Sequence, residues 1–258
     1  MAAGPSRAFL RFYAELNDHL PPAQRYRTIE REFFVPSSVK DLLESCGVPH
    51  TEVELVTLNG ESVDFARPVH DGDRVAVYPV FEALDVATEL RVREQPLRET
   101  RFVLDVHLGR LARGLRMLGF DSAYGNRAGD AELARRAAGE KRILLTRDRG
   151  LLKRSAVERG YWLRETESRR QLAEVVRRFD LARSIRPFTR CMACNEPLRP
   201  ASAEAARGRV PPPVAAARHE FRECPRCGRV YWAGSHYRRM QDWIAELTAA
   251  SSSAHPMA

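Results

Sequence analysis

Three aspartates and four cysteines carry most of the chemistry in this sequence. Asp105 ends the short apolar run Phe102-Val103-Leu104, and the segment after it repeats Leu108, Leu111, Ala112, Leu115 and Leu118 at helical spacing. Asp148 stands in a similar place, after the apolar run Ile143-Leu144-Leu145 and the exit pair Thr146-Arg147. Asp130 opens the helical segment GDAELARRAAGEK, where its type predicts an N-cap. Acids at the carboxyl ends of neighbouring parallel strands face one crevice, the place where open α/β sheets hold ligands. Carboxylates without His or Cys partners suit Mg²⁺ or Mn²⁺, which take oxygen ligands and keep several waters. Such ions activate water and stabilise the oxygens of an in-line phosphoryl displacement. A purely structural role as helix caps is the alternative for Asp130 and Asp148. It suits Asp105 less, because a carboxylate ending a buried strand is costly unless paired or liganded.

The cysteines fall in two pairs, Cys191-Met-Ala-Cys194 and Cys224-Pro-Arg-Cys227, with 29 residues between the pairs. Each CxxC sets two thiolates on a tight turn, and two such turns facing each other complete a closed tetrahedral zinc shell. A closed shell is structural. Disulfides or redox motifs would need an oxidising compartment or a thioredoxin-like context, which the sequence does not show. His219 and His236 lie nearby as substitute ligands, and Cys46 stands alone as a small core residue.

The elements that position these residues follow from pattern. Residues 1–82 form an α+β unit: strands over 8–16 and 26–35, a helix opened by the capping box Ser38/Asp41, then strands around the turns Asn59-Gly60 and Asp71-Gly72. The order, with VTLNGESVDF and DGDRVAVYPVF, resembles the ubiquitin-like β-grasp domains, including sulfur carriers and a module found in front of certain ribonuclease domains. Carriers act through a C-terminal Gly-Gly; here the strand runs on through Tyr78-Pro-Val-Phe-Glu82, so a docking module for an unknown protein partner is expected. Residues 83–100 have mixed charge and no apolar period, as a linker would. Residues 101–183 alternate strand and helix: strands at 102–104, 120–124, 142–146 and 161–164, and helices following Asp105, Asp130, Arg149 and Glu167. That alternation gives a parallel sheet. Residues 184–243 hold the paired cysteines around an Ala/Pro/Arg-rich segment, and residues 244–258 form a polar tail expected to be disordered.

FVLDVHLGRLARGLRMLGFD, GDAEL, ILLTRDRGLLKR and CPRCGRVYWAGSHYRRM, in that order, resemble the Mut-seven C-terminal RNase family, a zinc-ribbon branch of the PIN-like nucleases. The resemblance covers residues 101 to about 240, and several members of that family carry the same ubiquitin-like module in front. It implies an α/β PIN-like domain and a metal-dependent endoribonuclease with Asp105, Asp130 and Asp148 as acidic positions. PIN nucleases commonly add a fourth acid, for which Asp121, Glu132 and Glu165 are the candidates.

Charge fits a polyanionic partner. Lys and Arg exceed Asp and Glu by 42 to 34, and the pI is near 9.6. Arg147 and Arg149 flank Asp148 as candidate phosphate holders, whereas the stripe Arg110, Arg113, Arg116 reads equally as a solvated helix face. His107 needs no role as a base beside a metal. Tyr231, Trp232, His236, Tyr237 and Trp243 interleave with Arg229, Arg238 and Arg239, either as a platform for unpaired bases or as the small core of the ribbon. The sequence has no run of about eighteen apolar residues, and MAAGPSRAF lacks a signal-peptide core, so a cytoplasmic protein without a membrane segment is expected. The expectation is an Mg²⁺- or Mn²⁺-dependent ribonuclease with structural zinc, acting on RNA; a noncatalytic RNA-binding or ribosome-associated adaptor is the alternative.

Overall fold

The computed structural model describes residues 5–79, 100–217, 220–234 and 241–246. Residues 83–99 of the expected linker, nearly all of the tail, His219, His236, Tyr237, Arg238 and Arg239 lie outside the described residues. The chain forms two compact units, each from two separated stretches: Met1–Glu99 with Gly129–Trp162, and Thr100–Ala128 with Leu163–Ala258.

The first unit opens with a mixed sheet. β1 (Ser6–Phe12) pairs antiparallel with β2 (Thr28–Phe33) and parallel with β7 (Arg74–Pro79). β7 pairs antiparallel with β4 (Val53–Leu58), and β5 (Glu61–Ser62) adds the far edge, giving the order β2-β1-β7-β4-β5. The short β3 (Ser37–Ser38) and β6 (Pro68–Val69) form a separate pair. The capping box exists as expected and opens α1 (Val39–Ser45), which buries Val39, Leu42 and Leu43 in one core with Leu10, Phe12, Val56 and Val77. This is the β-grasp arrangement of the ubiquitin-like fold. Asn59 and Gly60 both take positive φ, 52° and 93°, which a two-residue turn between twisted strands requires.

Strand boundaries in this unit differ from expectation, and two of the shifts have a visible cause. The first strand ends at Phe12 instead of Leu16, because the 3-10 turn Ala14–His19 buries Leu16 and sends the Asn17 amide back to the Phe12 and Ala14 carbonyls. The second starts at Thr28, since Tyr26 is left-handed (φ 58°) and its N–H donates to Asn17 Oδ1.

In the second unit, β8 (Phe102–Leu104) and β9 (Ser122–Tyr124) are parallel, joined by α2 (Gly109–Met117) as a crossover. α2 turns Leu111, Ala112 and Leu115 inward. Its Gly114 lets Leu172 approach so closely that a Cβ would stand 2.7 Å from Leu172 Cδ2.

The first unit also contains α3 (Asp130–Gly139), β10 (Ile143–Thr146), α4 (Arg149–Leu152) and β11 (Gly160–Trp162), with β10 and β11 parallel. The helical stretch expected to run to Arg159 stops at Leu152: it buries Leu151 and Leu152, and exposed Arg154, Ser155 and Ala156 lead the chain back to β11. These elements are bonded to the β-grasp module. Glu52, 1% exposed, accepts from the Trp162 N–H at 2.5 Å and lies 2.9 Å from His19 Nε2. His50 Nε2 donates to the Val157 carbonyl at 2.9 Å, and Lys153 Nζ to the Glu44 carbonyl at 2.7 Å.

The second unit continues with α5 (Ser168–Arg178), capped by Glu167, whose carboxylate accepts from the Arg169 and Arg170 N–H groups. Phe102 meets Phe120 and Phe179 edge-on. The unit ends in an antiparallel sheet of β12 (Arg199–Ala201), β13 (Phe221–Glu223) and β14 (Val230–Trp232), with α6 (Ala203–Ala206) and α7 (Pro212–Ala217) between β12 and β13. No helix among the described residues is long and apolar enough to cross a membrane.

Candidate functional site

The two cysteine turns meet. The Sγ atoms of Cys191, Cys194, Cys224 and Cys227 all lie within 4.8 Å of one another. Cys191 is 3.6 Å from Cys227 and Cys194 is 3.4 Å from Cys224, well beyond the ~2.05 Å of a disulfide. Each turn is built alike, with Asn195 N–H donating to the Cys191 carbonyl and Gly228 N–H to the Cys224 carbonyl. Burial by itself pushes the Cys191 thiol up, but hydrogen bonds from the Tyr231 hydroxyl (3.1 Å) and the Cys194 and Ala193 N–H groups bring it down to about 6. Cys194 moves the other way, to about 12, through burial and the thiols around it. Without a cation, the cluster holds one thiolate easily and resists the next. Four sulfurs this close therefore fit a metal ion such as zinc, whose charge stabilises all of them as thiolates.

Sequence reasoning missed what anchors this centre. Arg116, assigned above to a helix stripe, is instead buried. Its Nε donates to the Ser122 carbonyl at 2.9 Å, and its Nη1 reaches the Ala193 carbonyl at 2.8 Å and that of Met192 at 3.3 Å, inside the first cysteine turn. Asn195 repeats the link in both senses: its Oδ1 accepts from Ser122 N–H at 2.9 Å and its Nδ2 donates to Asp121 Oδ1 at 2.7 Å. Asp121 Oδ2 is 3.5 Å from Arg190 Nη2. The signal was faint, namely a charged residue directly after Leu115 on an otherwise amphipathic helix. Arg110 and Arg113 remain exposed.

Each of the three aspartates has its own local setting. Asp105 lies in the second unit, and Asp130 and Asp148 in the first. Asp105 follows β8 and caps the 3-10 turn Val106–Leu108, accepting from the Val106 N–H at 2.6 Å. That turn is braced by the Tyr124 hydroxyl, which donates to the Val106 carbonyl at 2.8 Å. Asp148 stands two positions after the end of β10; its N–H donates to Thr146 Oγ1 and its Oδ1 accepts from Gly150 N–H at 2.7 Å, capping α4. Asp130 differs from expectation. Gly129 is the N-cap of α3, and Asp130, already helical, places Oδ2 3.4 Å from Arg154 Nη2. Of the fourth-acid candidates, Asp121 holds the cysteine turn, Glu132 is exposed in the first turn of α3, and Glu165 is half-buried, its N–H donating to buried Glu174.

Arg147 and Arg149 are both exposed; Arg149 Nη1 donates to the His19 carbonyl at 3.1 Å, and its guanidinium lies 5.0 Å from the Trp162 ring centroid. Trp162 Nε1 donates in turn to the Arg147 carbonyl. In the ribbon, Tyr231 packs beside the cysteines, and Trp232 packs with Phe221, Val210 and Ala206, so these two aromatics serve its core.

Residues 100–244 match the family model described as the Mut7-C RNAse domain, and residues 6–85 the model described as Mut7-C ubiquitin. No curated protein matches the chain. Among solved structures, the crystal structure of SAMP1 from Haloferax volcanii is similar at 16% identity, covering 31% of this chain and 100% of that one, with a TM-score of 0.24.

Proposed function

We propose, from the premise that this chain belongs to the Mut7-C RNAse domain family, that it hydrolyses RNA phosphodiesters within the strand with the help of Mg²⁺ or Mn²⁺. The observation that supports this best is the repeated local build of Asp105 and Asp148. Each closely follows a parallel strand, and each has one carboxylate oxygen fixed by a backbone N–H of the turn that follows. A fixed carboxylate needs little ordering to receive a hard cation, and an all-oxygen donor set fits such ions. Asp105, Asp130 and Asp148 would hold the ion, which when bound supplies a more acidic water and charge for the phosphoryl oxygens.

The chain's own contribution is positioning. Tyr124 holds the turn after Asp105, Thr146 and Gly150 hold Asp148, and exposed Arg147 offers a guanidinium to the phosphate backbone. Arg149 contributes by holding its own loop against the β-grasp module as well as by charge. Hydrolysis leaves a 5′-phosphate. The closed cysteine centre has no open position and serves structure.

The test is cleavage of labelled single-stranded RNA with Mn²⁺, comparing the parent with Asp105→Asn and Asp148→Asn and measuring RNA binding for all three. Cleavage by the parent alone, abolished by EDTA, with equal binding, is the expected outcome. Equal binding with no cleavage by any of them, across several RNAs and both metals, would make the chain an RNA-binding adaptor instead.

A further inference from the structure

The turn that carries Asp148 is held from outside itself. Asp148 caps α4, which has four residues, and a helix that short is not stable by its own backbone bonds. Burial of Leu151 and Leu152 ties down the far end of α4. Asp148 and its neighbours Arg147 and Arg149 are exposed, so apolar packing does not hold them.

The bonds that do hold them begin in the β-grasp module. Glu52, in the 3-10 turn His50–Glu52 before β4, uses both carboxylate oxygens: Oε2 accepts from His19 Nε2 at 2.9 Å and Oε1 from the Trp162 N–H at 2.5 Å. Trp162 stands opposite Thr146 in the β10–β11 ladder, at the strand exit that leads to the acid. Its indole Nε1 donates to the Arg147 carbonyl at 3.1 Å, one residue before Asp148. One residue after it, Arg149 Nη1 donates to the His19 carbonyl at 3.1 Å, with the guanidinium over the Trp162 ring. Beyond α4, Lys153 and the Val157 carbonyl are bonded to Glu44 and His50 of the same module. Asp105 is braced differently, by Tyr124 of its own unit.

We infer that the β-grasp module is an intramolecular activator of the nuclease, with Glu52 and Trp162 as positioning residues for Asp148. Glu52 fixes Trp162 and His19, and these two hold the carbonyl before the acid and the guanidinium after it. Asp148 acts here as the metal ligand proposed above, and the role of Glu52 and Trp162 rests on that. Neither residue touches the metal or the RNA; each acts through the turn. A metal-holding carboxylate must stay within ~0.5 Å of its productive place, so loosening the turn slows turnover and leaves RNA binding as it was.

The experiment compares the intact protein with Trp162→Phe and Glu52→Gln. Trp162→Phe removes the indole donor while keeping an aromatic ring beside Arg149 and the backbone N–H for Glu52. Glu52→Gln keeps an acceptor for the Trp162 N–H, and its amide can donate to His19 Nε2 once the ring proton moves to Nδ1, which has no hydrogen-bond partner. The readouts are kcat and KM on labelled single-stranded RNA with Mn²⁺, and hydrogen exchange of the Gly150 N–H that bonds to Asp148 Oδ1. Trp162→Phe is expected to lower kcat about tenfold with KM unchanged and to speed Gly150 exchange, while Glu52→Gln stays close to the parent. The inference is overturned if Trp162→Phe keeps the parental kcat, even with a lower melting temperature, or if it raises KM alone, the mark of a lost RNA contact. Unchanged Gly150 exchange overturns it too. A parent that cuts no RNA defeats the nuclease reading and this inference together; a parent that cuts, with Trp162→Phe its equal, defeats this inference alone.

Discussion

Replacing Arg116 by Met keeps the side chain's length and apolar stem while removing its charge and all its donors. In the native protein Arg116 satisfies the buried Ser122 carbonyl and two carbonyls of the first cysteine turn, at 2.9, 2.8 and 3.3 Å. Leaving a buried acceptor unmet costs about 1–3 kcal/mol, and only the two shorter bonds are near ideal, so the loss is roughly 2–6 kcal/mol. Removing a buried charge returns part of this, leaving about 3 kcal/mol. For a protein of this size that corresponds to roughly 6–12 °C in the unfolding temperature. Arg113→Met, exposed on the same helix, is the control and is expected to cost under ~0.5 kcal/mol. Calorimetry gives the temperatures, and zinc release to a colorimetric chelator reports on the cysteine turn, which is expected to exchange metal faster in R116M. Equal melting and equal zinc release for the two variants would refute the assignment of Arg116 as the anchor.

Gly109→Ala places a Cβ 2.7 Å from the Tyr124 hydroxyl, so the ring must shift and its bond to the Val106 carbonyl is strained or lost. We expect about 1–3 kcal/mol of destabilisation, offset by less than ~1 from helix propensity, and RNA cleavage reduced more than RNA binding. Glu52→Ala leaves His19 and the Trp162 N–H without their shared acceptor and should cost about 3–5 kcal/mol, measured by urea unfolding; a cost under ~1 kcal/mol would show that the buried pair is energetically idle. Burial raises the Glu140 carboxyl, yet hydrogen bonds from Arg142 and Arg136 outweigh it and hold it below its usual range. Its stabilisation is therefore present above the unfolded value of 4.5 and is lost as pH falls through the lower folded value. With a half-exposed side chain the effect is under ~1 kcal/mol, so Glu140→Gln is expected to melt about 2 °C below the parent at neutral pH, a gap that closes on acidification.

What could be read from the residues alone divides along physical lines. The capping box at Ser38, the Asn59-Gly60 turn and the paired CxxC turns were legible because each is a local device whose chemistry depends on a few adjacent residues. Strand ends were less so. Phe12 and Leu16 differ in nothing the pattern sees, and the break between them is set by Asn17, whose amide bonds backward to Phe12 and Ala14. The acids after β8 and β10 were placed correctly relative to their strands, since a buried apolar run ending in a carboxylate leaves few alternatives. Asp130 was misplaced by one position, as Gly129 caps α3 equally well with its backbone. Arg116, Asn195 and Glu52 escaped notice because their partners lie 6 to 110 residues away, and no periodicity reports a carbonyl that distant.

The bonds from Glu52, His50 and Lys153 to residues 129–162 bear on how the chain is made. The Mut7-C ubiquitin match closes at residue 85. The energetic border comes later. As the chain leaves the ribosome, a module ending there would still present Glu52, a buried acid in the finished protein, to solvent until Trp162 has been added. The first unit can therefore close only after a stretch of the second has already emerged, and the two must mature in an overlapping order rather than one after the other. A cut placed where the family match ends would separate sequences cleanly while severing a folding partnership.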